Sequence, residues 1–174
     1  MKASGIGADR SGIVHDITNF IHSSRGNILR LNSLQVAGDY AVTLIAEFDS
    51  DGDLRAAMSG LNASAPVENF RLLASELTSY TPPTQDGTKY VITALGFDRA
   101  GIIDSLSKPF SQREINLQSV QADVAAHTPD QGTRMFKSEF VAVLPRGYDT
   151  TLLFSEIEII ATDNGLTVHI TIVE

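Results

Sequence analysis

The spacing of apolar residues along this chain switches between a helical and an alternating period, and the switches recur in the second half. Ile13, Val14, Ile17 and Ile21 fall at helical intervals and predict a helix over about 12–25, with Gly26 standing where a left-handed helix stop favours glycine. From Ile28 to Val36 apolar residues persist without a helical stripe. Gly38-Asp39 predicts a tight turn, and Tyr40, Val42, Leu44 and Phe48 then alternate as one strand face, so this stretch reads as a hairpin. The polar run from Asp49 to Asp53 suits the capped start of a second helix carrying Leu54, Ala57, Met58 and Leu61, which Pro66 closes. Asn69 to Thr78, with Phe70, Leu72 and Ala74 on one side, is the next strand. Residues 1–6 supply a strand ahead of the first helix, but Ala3, Ser4 and Gly5 are poor strand formers, so it is short or continues ahead of Met1.

The second half repeats this series. Lys89 to Leu95 is a strand, and Ile102, Ile103, Leu106 and Phe110 mark a helix. Pro109 lies inside that helix and predicts a bend or break near Ser105, since an interior proline costs about 3 kcal/mol. Strands at about 115–125 and 134–144, the latter with Phe136, Phe140 and Leu144 alternating, flank a long connection from His127 to Gly132. Asp149 and Thr150 can cap a helix with Leu153, Ile157 and Ile160 as its buried stripe, Asn164-Gly165 stops it, and Val168, Ile170 and Ile172 form a last strand. Each half therefore reads strand, helix, strand, strand, helix, strand. That order predicts an α+β fold of two tandem ferredoxin-like βαββαβ domains, each an antiparallel sheet with its helices on one face. Tyr80 to Thr88, with Pro82-Pro83 and Gly87, reads as a linker (80–88) between a first domain at 1–79 and a second at 89–174.

Composition narrows the chemistry. At 174 residues, 43% hydrophobic and 20% charged, two small domains can each bury a core without a metal or disulfide. The absence of cysteine removes thiol nucleophiles and the commonest zinc sites. No apolar run approaches the ~20 residues of a membrane span, and Met-Lys-Ala-Ser-Gly-Ile holds no secretion signal, so no membrane contact and a cytoplasmic location are expected. A net charge of −8 without any Lys/Arg cluster argues against direct nucleic-acid binding. Among His15, His22, His127 and His169, the first two form an i, i+7 pair two helical turns apart, too far to share an ion, so neither metal nor cofactor is expected.

Candidate chemistry concentrates in one repeated stretch. Gly-Ala-Asp-Arg-Ser-Gly-Ile-Val at 7–14 returns as Gly-Phe-Asp-Arg-Ala-Gly-Ile-Ile at 96–103, each between a strand and a helix. At one constant offset Gly7, Asp9, Arg10, Gly12, Ile13 and Asn27 match Gly96, Asp98, Arg99, Gly101, Ile102 and Asn116. Gly12 and Gly101 let the backbone approach a bound group, and the helix start offers unpaired N–H donors for a carboxylate or phosphate. Asp9 and Asp98 suit an ammonium. Asn27 and Asn116 begin the following strand, from which an amide facing the same loop offers donor and acceptor. The plainer alternative makes Asp a helix cap, Gly a turn residue, Arg a solvated side chain and Asn a turn former.

The Gly-x-Asp-Arg-x-Gly-Ile-[Val/Ile] turn, the Asn-Ile or Asn-Leu strand start and the βαββαβ order resemble the ACT domain, a small regulatory amino-acid-binding module, over nearly the whole chain and twice. Two copies with no appended catalytic domain are similar to the glycine cleavage system transcriptional repressor family. The resemblance implies a non-enzymatic regulator that binds a small amino acid such as glycine or serine and acts through a partner regulatory protein. It also admits a homodimer, since ACT pairs set sheets edge to edge or helices back to back. The implied ligand-facing positions are Gly7, Asp9, Gly12 and Asn27, and Gly96, Asp98, Gly101 and Asn116. Ser11 and Ala100 stand where the family often has proline, and Ile115 replaces the Gly26 stop, so if one turn alone binds, the reading favours residues 7–12. Two alternatives remain: an interaction module without ligand, and an acylphosphatase-like hydrolase in which Arg10 with Asn27, or Arg99 with Asn116, clamps a phosphate.

Overall fold

A computed structural model describes residues 1–63, 70–80, 86–125 and 134–173. It divides into two compact units, Met1–Pro82 and Pro83–Glu174. The N-terminal unit runs β1 (Lys2–Ala8), α1 (Ile13–Ser23), β2 (Gly26–Val36), β3 (Asp39–Phe48), α2 (Asp51–Ala63) and β4 (Phe70–Ser75). The C-terminal unit runs β5 (Thr88–Phe97), α3 (Ile102–Gln112), β6 (Leu117–Ala125), β7 (Met135–Leu144), α4 (Thr151–Asp163) and β8 (Leu166–Val173). Each has one four-stranded antiparallel sheet, ordered β2-β3-β1-β4 and β6-β7-β5-β8. This is the expected α+β arrangement, βαββαβ twice. The expected closure by Pro66, the strand start at Asn69, the Pro82-Pro83 pair and the His127–Gly132 connection lie outside the described residues.

Alternation along the strands selects the buried face. In the N-terminal unit Ala3, Val42, Leu44, Ala46, Phe70 and Leu72 share a core with Ile13, Ile17 and Ile21 of α1 and Leu61 of α2, so both helices cover the same side. The C-terminal core joins Ile92, Ala94, Phe136 and Phe140 to Ile102, Leu106 and Phe110 of α3 and Leu153, Ile157 and Ala161 of α4. On α4 the third buried position is Ala161 and not the expected Ile160, which is half-buried. Ser50 starts α2 as a cap: its Oγ accepts the Asp53 N–H at 3.1 Å and donates to Asp53 Oδ2 at 2.7 Å. At α4 the Asp149 carboxylate accepts the Thr151 N–H at 3.0 Å, and the Thr151 hydroxyl and N–H hold that carboxyl below the usual carboxylate range.

Several local expectations are corrected. β1 runs to Ala8 in spite of its weak strand formers, because as an inner strand it is paired on both sides by β3 and β4. Helix α3 runs unbroken through Pro109, whose ring is buried. Proline removes one intrahelical hydrogen bond at that point, and burial of the ring offsets part of the loss. The left-handed residue after α1 is Arg25 (φ 59°), one place before Gly26, and Glu114 (φ 55°) matches it after α3. Gly26 is required by packing instead: a Cβ there would lie 2.7 Å from a Phe48 ring carbon and 2.8 Å from Ile21. The two units thus end their first helices alike, and Ile115 does not set them apart.

The β2–β3 turn is Ala37-Gly38, both at positive φ (51° and 92°), the geometry of a two-residue type I′ turn. Asparagine suits the first such position far better than alanine. Ala37→Asn is therefore expected to stabilise the protein by about 0.5–1 kcal/mol, read as a higher urea midpoint at unchanged slope.

Candidate functional site

The two glycine turns share a backbone design. In each unit the first strand feeds a turn whose aspartate N–H is tied down, Asp9 to the Gly38 carbonyl at 3.1 Å and Asp98 to the Arg134 carbonyl at 2.9 Å. The N-cap is a glycine at positive φ, Gly12 at 90° and Gly101 at 86°, where an L side chain is strained. With glycine there, neither helix has a side-chain cap, and the first intrahelical bonds run from Asp16 N–H to Gly12 and from Ser105 N–H to Gly101, each 2.9 Å. The N–H groups ahead of them point out of the helix end, where the helix dipole favours an anion. Gly7 and Gly96 are not part of the turn: each lies in a central strand, Gly7 opposite Tyr40 and Phe70, Gly96 opposite Phe136 and Leu166.

The charges of the two turns differ. Asp9 Oδ2 accepts from Gln35 Nε2 at 2.6 Å, a neutral partner, while Arg10 is held by Asp16 at 2.5 Å and donates to the Ser11 carbonyl at 3.1 Å. Asp98 instead pairs with Arg134 at 2.9 Å, and Arg99 has no acidic partner among the described residues. Ser105 stands where the first unit has Asp16. Counting the acid in the first helical turn of each unit, Asp9, Arg10 and Asp16 sum to one negative charge, whereas Asp98, Asp104, Arg99 and Arg134 sum to zero. Asp9 has no cationic partner among the described residues, whereas Asp98 is paired with Arg134. Gln35 was missed in the sequence because only the β2–β3 register brings it beside Asp9; the same register position in the second unit is Val124.

Asn27 and Asn116 are not beside the turn of their own unit. Asn27 pairs with Glu47 and donates to its Oε1 at 2.9 Å, whereas the turn follows Ala8, which pairs with Asp39 at the other end of β3. That is roughly 25 Å along the strand. Asn116 precedes Leu117, opposite Ala142, while Phe97 sits opposite Met135. The cause is topological: β1 and β2 are parallel with β3 between them, so α1 must return the chain to the end of the sheet where β1 began. The same separation removes the phosphate clamp of Arg10 with Asn27, or Arg99 with Asn116, within a unit. Among the described residues no cluster of three or more His, Cys, Asp or Glu could hold a metal, and no helix is long and apolar enough to cross a membrane.

No protein-family model matches this sequence, and no curated protein does. Solved structures do match. A candidate glycine cleavage system transcriptional repressor superposes with a TM-score of 0.72 over 99% of this chain and 96% of its own, at 13% identity. The fold is that of a tandem ACT-like protein. An uncharacterised protein from Galdieria sulphuraria superposes with a TM-score of 0.80 at 17% identity over 99% of this chain and 97% of its own. At such identities a likeness shows the shared ACT-like fold, and function rests on the residues of the site.

Proposed function

We propose that this chain is a non-enzymatic regulatory protein that binds a small amino acid, glycine or serine in the first instance, at a glycine turn and passes the bound state to a partner protein. The observation that carries the reading is the first turn, where an uncapped helix start and a carboxylate with no cationic partner among the described residues, Asp9, stand within one short segment. The helix-end N–H groups take the ligand carboxylate and Asp9 its ammonium. A small side chain suits an open turn in which Asp9, Arg10, Ser11 and Gly12 are all exposed. At the second turn Asp98 is already paired with Arg134, which leaves Arg99 and the helix-end N–H groups to favour the carboxylate end. Regulation follows by population shift, the ligand favouring whichever arrangement of units or of a homodimer binds it better. A cytoplasmic regulator of this kind touches nucleic acid only through its partner, in keeping with the net charge of −8.

A thermal-melt screen against the twenty amino acids tests this. Ligand at ~100 times its dissociation constant adds about 2.7 kcal/mol, a rise of roughly 5–10 °C for a chain of this length. Asp9→Ala is expected to abolish the rise and Asp98→Ala to leave it. Absence of a shift with every amino acid at millimolar concentration would refute the ligand-binding reading.

A further inference from the structure

The sheet of the N-terminal unit buries one face under α1 and α2, and among the described residues of that unit no helix covers the other. Three large apolar residues stand out on that open face: Ile6, Leu34 and Leu73, exposed by 53%, 51% and 64%. The register groups them. Ile6 and Leu34 both flank Ala41 in one cross-strand row, and Leu73 lies opposite Ser4 in the next. Cations surround the group: Arg71 is directly opposite Ile6, while Lys2 and Arg30 flank Ile45 one row beyond Leu73. All three cations are exposed, and none has an acidic partner among the described residues. The acids of this face, Asp39 and Glu47, lie at the two ends of β3, and Glu47 already accepts from Asn27. Two adjoining depressions of about 360 and 400 Å³ share Leu73 as a wall; Lys2 and Arg30 line the first, Ile6, Leu34 and Arg71 the second.

An apolar patch edged with unpaired cations, on a chain of net charge −8, complements a ligand that is both apolar and acidic. Backbone groups of the inner strands are already used in the sheet ladders, so a segment laid on this face gains no main-chain partners and must satisfy its own, as a helix does. The fit agrees: the outer strands are roughly 14 Å apart, and a helix with its side chains is about 10–12 Å wide. We propose that this face docks an acidic amphipathic helix of a partner protein, its apolar stripe over Ile6, Leu34 and Leu73 and its carboxylates toward Lys2, Arg30 and Arg71. The docking needs no ligand at the glycine turns.

The test uses the full chain without added amino acid and a fluorescent, end-blocked helical peptide of about 18 residues, with leucine at helical spacing and glutamate along both flanks. A matched peptide with lysine for glutamate is the control. Anisotropy is expected to show saturable binding of the glutamate peptide that weakens as salt rises. Arg30→Glu combined with Arg71→Glu weakens that binding about tenfold and makes the lysine peptide the better ligand. Leu73→Ala weakens it at an unchanged melting temperature, and circular dichroism confirms that each variant is folded. Equal binding of both peptides, no binding at millimolar peptide, or indifference to the double charge reversal overturns the proposal. So does sedimentation showing a dimer that the double variant abolishes, because the occupant would then be a second copy of this chain.

Discussion

Phe140→Ala is expected to cost about 3–5 kcal/mol. Phe140 is 1% exposed in the middle of β7 and lies 6.4 Å from the parallel ring of Phe110 on α3. Its loss removes this ring contact between sheet and helix and leaves a hole bounded by β-ladders on either side, which cannot close without breaking register. With total stability of roughly 5–15 kcal/mol for a protein of this size, the variant should sit near its unfolding threshold at physiological temperature. Hydrogen exchange checks this: loss of amide protection should be greatest in β5, β7 and α3. A cost under ~1 kcal/mol, or protection lost evenly throughout the chain, would contradict the role assigned to this ring.

Gly96→Ala carries the second large effect. A Cβ on Gly96 would stand 2.7 Å from the carbonyl oxygen of Gly165 and 2.7 Å from Leu166 Cδ2. The carbonyl cannot retreat, because Gly165 is a left-handed residue (φ 68°) that joins α4 to β8, the strand paired with β5. The expected cost is about 2–3 kcal/mol. Gly101→Ala is the comparison: a Cβ there meets nothing within 4 Å, so only its φ of 86° opposes the change, at about 1 kcal/mol. Urea unfolding of the pair distinguishes the two roles that the repeated motif gives its glycines. Equal losses would mean that close approach at Gly96 is not what demands glycine.

These glycines show which part of the site was legible. Gly12 and Gly101 could be placed at helix starts from the sequence, because a strand period ending in a glycine followed by a helical period is a local signal. Gly7 and Gly96 carry the same letters, yet they sit in central strands, and their pairing partners lie tens of residues away. Gly26 follows the helical spacing where a glycine stop is expected, yet tertiary packing against Phe48 and Ile21 explains it, and Arg25 takes the left-handed position at some local cost. Pro109 misled in the opposite direction, since a local penalty of about 3 kcal/mol is partly offset by burial of the ring and the rest is carried by the packing of the whole helix.

Local order, periodicity and the repeat were sufficient, in the sequence by itself, to determine the succession of elements seen among the described residues and the ferredoxin-like class of each half, because both depend on the spacing of apolar residues over short stretches. Only the tertiary structure decided how the turns are charged and which residues accompany them. Gln35 reaches Asp9, Arg134 reaches Asp98, and Asn27 is carried to the far end of its sheet, all through strand register and crossover topology. Two stretches that share five of eight residues thereby become turns with different ionic partners, since a side chain's electrostatic partner is set by what folds beside it and not by what precedes it in the chain.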